Sequence, residues 1–256
     1  MHAPVENLAD IAGDVLARVR ERAPRVHCIT NNVAQNYTAN VLLAAGAVPS
    51  MTTAPEEIAG FVASADALLV NLGTFDAERR RAVDLALDAA MAARKPWVLD
   101  PVFIDRSPAR AAFARTLLAR APAAVRLNRS EFVPLFGGEV SDEAAARAAK
   151  NSGTVVAVTG DTDLVTDGLR RAALRNGHPL MSLVTAMGCA GSALLGAALA
   201  VESDAWFAAV AALAALGVAG EIAGTSAAGP GSFATAIIDA LHGLDRATLR
   251  ARIKVS

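Results

Sequence analysis

Apolar positions along this chain fall into two alternating kinds. Leu8, Ile11, Val15, Leu16 and Val19 recur at helical spacing with charged residues between them, and Pro24 closes the segment. Arg25-Val26-His27-Cys28-Ile29 follows as an extended run, ended by the turn and cap residues Thr30, Asn31 and Asn32. A helix is predicted over 34–45, stopped by Gly46. The alternation then recurs. Strands are predicted over 67–70, 97–99, 124–127 and 155–158, and each runs into polar or turn residues. Helices are predicted over 76–94, between the strands at 97–99 and 124–127, and after Ser141, an N-cap residue. Short, all-apolar strands separated by helices imply an α/β fold whose mostly parallel sheet is covered by helices on both faces.

Over 163–184 the pattern changes to short mixed stretches with turn signals at Asp167-Gly168 and Asn176-Gly177, which predict an antiparallel extension of the sheet. From Cys189 onward the chain reads as helix. The stretch 205–219 is apolar and alanine-rich but close to Asp204 and Glu221, and is short for a bilayer span, so it reads as a buried helix. No linker or low-complexity tract interrupts the pattern, and residues 1–256 are expected to form a single domain.

Composition narrows the function classes. Hydrophobic residues make up 54% of 256, enough for a large core, and the formal charge of −1 is evenly interspersed. With no basic stripe, one Tyr and two Trp, the chain has neither the charge nor the stacking surface of a nucleic-acid binder. Two cysteines do not make a disulfide framework, and the first ten residues lack a signal-peptide pattern; a cytoplasmic protein with no membrane partner is expected.

In open parallel sheets ligands bind beyond the carboxyl ends of the strands. Here those positions carry Asn31, Asn32, Asn71, Gly73, Thr74, Asp100, Asn128, Glu131, Thr159, Gly160 and Asp161. Any one of them is ordinary turn chemistry; so many on one rim favour a site. The segment Thr185-Ala186-Met187-Gly188-Cys189-Ala190-Gly191-Ser192, read as joining a strand to a helix, offers small residues and helix N–H groups to an anion. It is neither a Walker A sequence nor a GxGxxG fingerprint.

Several segments in order resemble the hydroxyethylthiazole kinase family of the ribokinase-like superfamily. They are His27-Cys28-Ile29-Thr30-Asn31-Asn32, Asn36 to Asn40, Asn71-Leu72-Gly73-Thr74, Leu99-Asp100-Pro101-Val102, Asn128 to Glu131, Val158-Thr159-Gly160, Asn176-Gly177-His178 and Gly229-Pro230-Gly231-Ser232-Phe233. The resemblance implies a ribokinase-like fold and transfer of the γ-phosphoryl group of ATP, with Mg²⁺, to the hydroxyl of 4-methyl-5-(2-hydroxyethyl)thiazole. It also implies a homotrimer with active sites between subunits. By position it places Met51, Ala186 and Asn31 around the thiazole, Arg126 and Thr159 on the nucleotide phosphates, and Asp100 and Glu131 on Mg²⁺ through water. Cys189 stands where most ribokinase-like enzymes carry an aspartate base. A helix N-terminus favours a lowered thiol pKa; the thiol either takes the hydroxyl proton or only positions the hydroxyl.

Three positions depart from the family pattern, which has Gly where this chain has Phe103, Leu127 and Ala186. Other residues read as structural: His27 and Cys28 point to opposite faces of a strand, His178 is a turn residue, and Arg79-Arg80-Arg81 is a solvated helix face. Three further readings compete with the thiazole kinase. One is a same-fold kinase for another hydroxyalkyl heterocycle, signalled by Phe103 and Ala186. Another is a non-catalytic thiazole- or nucleotide-binding paralogue, which would not need the metal carboxylates. The third is a nucleotide-dependent dehydratase, for which Asp rather than Cys is expected at 189.

Overall fold

The computed structural model describes residues 5–256. Eight strands form one sheet: β1 (Arg25–Ile29), β2 (Val48–Ser50), β3 (Ala67–Asn71), β4 (Trp97–Asp100), β5 (Ala124–Asn128), β6 (Val155–Thr159), β7 (Asp163–Thr166) and β8 (Arg171–Leu174). Their order is β2-β1-β3-β4-β5-β6-β7-β8. The first six positions are parallel; β7 and β8 are antiparallel and turn at Asp167-Gly168, as expected. The predicted α/β class, parallel core and antiparallel extension are all present.

Side-chain alternation along the strands divides the interior in two. Val26, Cys28, Leu69, Val98, Ala124 and Ala157 face one core, closed by α1 (Val5–Arg22), α2 (Gln35–Ala45), α8 (Met187–Leu199), α9 (Ala205–Gly224), α10 (Pro230–Gly243) and α11 (Arg246–Arg252). Leu68, Val70, Leu99, Val125, Leu127 and Val156 face the other, covered by α3 (Ile58–Ser64), α4 (Ala77–Ala92), α5 (Pro108–Leu118), α6 (Arg129–Phe136) and α7 (Asp142–Ser152). Strands covered on both faces have no solvated side, which is why they read as apolar runs rather than alternations.

Small residues set how closely α8 lies on the sheet. A Cβ on Gly196 would come within 3.3 Å of Val26, and one on Gly191 within 3.0 Å of Leu216 of α9. The alanine-rich α9 is a full 20 residues, long and apolar enough to cross a bilayer, so the shortness expected of it is wrong. Its burial carries the reading instead: it packs on α1, α8, α10 and the strands β6 to β8.

Other expectations need correction. The three-residue β2 and the short α3 and α6 are absent from the predicted elements, being too short to show a period. Asn176-Gly177 does not turn a hairpin. It leads into a 3-10 turn, Pro179–Leu183, so the segment entering α8 is not a strand either. His178 is a turn residue as expected, its Nδ1 accepting from Leu180 N at 3.2 Å. Arg79 is not part of a solvated face: it donates to Thr30 O at 3.3 Å and Asn32 Oδ1 at 2.5 Å, fixing the turn after β1.

Candidate active site

Parallel strands end on the same side, so the sheet order becomes an order along the rim. From the β2 edge inward it reads Met51, Asn31, Asn71, Asp100, then Arg126 and Asn128, then Thr159. Helix α8 packs on β1, β3 and β4, and its N-terminal Cys189 meets the middle of this line at Asn31.

The middle is tightly cross-linked. Asn31 Nδ2 donates to Cys189 Sγ at 3.4 Å and to Asn71 Oδ1 at 3.2 Å, and Asn71 Nδ2 donates to Asp100 Oδ2 at 2.7 Å. Asn71 Oδ1 also accepts from Gly73 N at 3.0 Å, and Asn31 Oδ1 from Ala34 N at 2.9 Å, tying both amides to their loops. Gly73 is required here because any Cβ would sit 2.5 Å from Asn31 Nδ2. From α5, Arg110 donates to Val102 O at 2.7 Å and Gly73 O at 3.4 Å, clamping together the loops that follow β3 and β4.

Burial dominates the electrostatics. It pushes the Asp100 carboxyl up to about 6, against the lowering pull of the Arg126 guanidinium; the Glu131 charge adds to the rise. Burial and the nearby Asp100 charge push the Cys189 thiol up to about 11, outweighing the amide hydrogen bonds from Asn71 and Asn31. This rise runs against the lowering expected from the helix terminus and favours the protonated thiol at neutral pH.

Arg126 projects from β5 under the first turn of α8, where a Cβ on Gly188 would come 3.1 Å from its Nη1. Its Nε is buried without a hydrogen-bond partner among the described residues. Glu131 is held twice: Oε2 accepts from Asn128 N at 2.9 Å in a capping box on α6, and Oε1 accepts from Phe103 N at 2.8 Å. Thr159 Oγ1 donates to Leu127 O at 3.3 Å.

Arg126, Asn128, Thr159 and Gly160 open into a cleft of about 690 Å³. Its far end is walled by Asn176 to Pro179, Met181, Leu213, Leu216 and Gly217, residues that the pattern of strand ends could not reveal because they lie on a turn and on α9. The structure thus brings Asn31, Asp100 and Cys189 together and sets Arg126 and Thr159 in one cleft. Met51 stands apart at the open edge beyond β2, half-buried.

Two of the three departures share a backbone feature. Ala186, which caps α8, has φ 69°, and Phe103 has φ 58°. Both hold the left-handed conformation that glycine adopts without strain. Leu127 is different, a fully buried strand residue facing α6 and α7.

The hydroxyethylthiazole kinase family model matches residues 16–247. This chain belongs to that family. A probable hydroxyethylthiazole kinase of Agrobacterium fabrum is 47% identical over 90% of this chain and 88% of its own length. The hydroxyethylthiazole kinase of Granulibacter bethesdensis is also 47% identical, over 92% and 91%. Among solved structures, a hydroxyethylthiazole kinase protein from Pyrococcus horikoshii superposes with a TM-score of 0.92 at 39% identity, covering 96% of this chain and 98% of that one. The pyridoxal kinase of Staphylococcus aureus shares the fold at 18% identity and a TM-score of 0.61. The ribokinase-like architecture read from the sequence is therefore confirmed.

Proposed function

We propose that this rim carries ATP-dependent phosphorylation of the hydroxyl of 4-methyl-5-(2-hydroxyethyl)thiazole, the thiamine-salvage activity of the family. One observation carries the arrangement: the bonded run Cys189–Asn31–Asn71–Asp100 ends beside Arg126 and the first turn of α8. The nucleotide lies in the cleft with its phosphates toward Arg126, Thr159 and the N–H groups of α8, which the helix itself leaves unpaired. The thiazole lies toward the β2 edge, between Met51, Asn31 and Ala186.

Transfer forms a bond between the alcohol oxygen and the γ-phosphorus and breaks the bond to the β-phosphate, releasing ADP. Charge builds on the transferring oxygens, and the Arg126 fork and the helix N–H groups meet it. In a loose transition state the alcohol keeps its proton until late, and the proton then leaves to an oxygen of the transferred phosphoryl group or to solvent. A protonated Cys189 thiol therefore suits the task of orienting the hydroxyl, and a thiolate base is not required.

Mg²⁺ is bound through one or two carboxylates, waters and substrate phosphates rather than by an all-protein cage. Asp100, a buried carboxylate with one oxygen held by Asn71, fits that donor set, and Glu131 would assist through water. No cluster of three or more metal-ligating side chains occurs among the described residues, so the phosphates of ATP would supply the remaining ligands. When bound, the ion neutralises charge on the β- and γ-phosphates.

The acceptor end lies at an open sheet edge, beside exposed Val48, Leu43 and Phe61. This supports a homotrimer in which a second copy closes the thiazole pocket; sedimentation that finds a monomer at assay concentration would refute it. Free thiols and kinship with metabolic kinases support a cytoplasmic location, and the unbroken sheet supports a single domain. The activity is tested with purified protein, ATP and Mg²⁺, offering hydroxyethylthiazole or hydroxymethylpyrimidine. Product from the thiazole alone is expected. Product from the pyrimidine alone would favour another heterocyclic alcohol, a reading to which the exposed ring of Phe103 on the rim lends support.

A further inference from the structure

Asn71 lies at the centre of the rim and belongs to neither ligand's expected contacts. Its carboxamide is buried, and three of its hydrogen-bonding directions are filled. Oδ1 accepts from Asn31 Nδ2 and Gly73 N at 3.2 and 3.0 Å, and Nδ2 donates to Asp100 Oδ2 at 2.7 Å. These partners fix which way the amide points. Turned over, its NH₂ would face the Gly73 N–H and its oxygen would face a carboxylate.

The placement follows from sheet register. Asn71 and Asp100 are paired positions on the neighbouring parallel strands β3 and β4, so their side chains leave the same face side by side. Asn31, one strand further out, uses its single NH₂ group for both Asn71 and the Cys189 sulfur. A shift of Asn71 therefore moves the thiol side and the carboxylate side at once.

We infer that Asn71 is a positioning residue of the transfer, holding the acceptor-side pair Asn31 and Cys189 in register with the phosphate-side Asp100. It touches no reacting atom; it fixes the separation between the groups that orient the hydroxyl and the groups that orient the phosphates. Because in-line transfer is steep in geometry, loosening this link reduces turnover far more than binding. The inference rests on the kinase reading above.

The test compares wild type with Asn71→Ala and Asn71→Asp in ATP-dependent phosphorylation of hydroxyethylthiazole, normalised to folded protein, with thiazole affinity read separately by calorimetry. Asn71→Asp keeps the shape and both accepting bonds but sets an oxygen against Asp100, so it separates geometry from folding. Both variants are expected to lose roughly 100-fold in kcat. The KM for ATP and the thiazole Kd should stay within about threefold of wild type, a split that simple destabilisation does not produce. Adding Asn31→Ala to Asn71→Ala should cost less than the product of the two single effects, since both break one chain. Unchanged kcat in Asn71→Asp, a thiazole Kd that weakens in parallel with kcat, or fully multiplicative double-variant losses would each overturn the inference. If wild type turns over and Asn71→Asp matches its kcat, only the Asn71 role falls; a wild type without turnover sinks the kinase reading and this role together.

Discussion

The two halves of the rim are built on opposite plans. On the proposed acceptor side, β2, β1 and β3 present Met51, Asn31 and Asn71, and the amides of Asn31 and Asn71 already have partners, although the buried hydroxyls of Thr30 and Thr38 do not. His27, fully buried beneath, contacts Ser50 Oγ at 2.8 Å through Nδ1 and Thr52 O at 3.0 Å through Nε2, pinning the strand that leads into Met51. On the proposed nucleotide side, β5 and β6 open into a wide cleft and leave a buried Arg126 nitrogen unpaired. A small neutral alcohol brings few groups to organise a site, so the protein must hold the geometry itself. A triphosphate brings charge and acceptors, so the protein need only offer donors where they will arrive.

Removing a donor should therefore hurt most on the nucleotide side. Arg126→Ala is expected to lower kcat/KM for ATP roughly 1,000-fold, with thiazole affinity nearly unchanged. Steady-state kinetics varying each substrate check this. An effect confined to the thiazole would mean that the two halves are assigned the wrong way round.

The acceptor scaffold should be the acid-sensitive one. Burial depresses the His27 imidazole to about 4, below its ordinary 6.5. The folded state thus keeps it neutral while the unfolded chain takes a proton. Its contribution is intact above pH 6.5 and is lost as pH falls from 6.5 to 4, about 3 kcal/mol in all. Asp100, raised to about 6, acts with the opposite sign between pH 6 and its unfolded value near 4. Denaturant unfolding at pH 7.5 and 4.5 should accordingly compare wild type with His27→Gln. The variant is expected to lose less stability on acidification; equal losses would remove His27 from the account.

A smaller effect is expected at the junction of the halves. On the proposed role, in which the thiol only orients the hydroxyl, Cys189→Ser should lower kcat about 10-fold while leaving the thiazole KM within about threefold. A loss of 1,000-fold or more would show that the sulfur takes the proton after all. Smallest of all, Ala186→Gly and Phe103→Gly should each raise stability by about 0.5–1 kcal/mol, since glycine relieves the left-handed strain. Thermal unfolding would read this as a rise of about 2 °C. A fall in both would show that the surrounding loops hold these residues without strain.

Much of this architecture is legible in the order of residues. The apolar runs at β1, β3, β4, β5 and β6 stand out because strands buried on both faces need continuous hydrophobicity. Ser141 marks the start of α7, where its side chain accepts from Ala144 N. The polar residues at the strand ends outline the rim, because only the carboxyl ends of parallel strands face a ligand. Three elements escape for one reason: β2, α3 and α6 are too short for a period to emerge. Val48-Pro49-Ser50 becomes a strand only because β1 offers it an edge. The far wall of the nucleotide cleft escapes for another. It is a turn pressed against glycines of α9, where a Cβ on Gly217 would meet Asn176 at 2.8 Å, and a close approach between distant segments leaves no local mark.

The sequence by itself determined the class of fold, the parallel strands and the set of polar residues from which a site had to be drawn, because each depends on spacing within a dozen residues. The tertiary structure alone decided their order along the rim. Only when β1 lies between β2 and β3, and β3 pairs with β4 in the register Asn71 to Asp100, does Asn31 reach both Asn71 and Cys189. It also decided the state of the Cys189 thiol. A helix terminus argues for a low pKa, but burial beside Asp100 is the larger energy, and burial is a property of the whole fold.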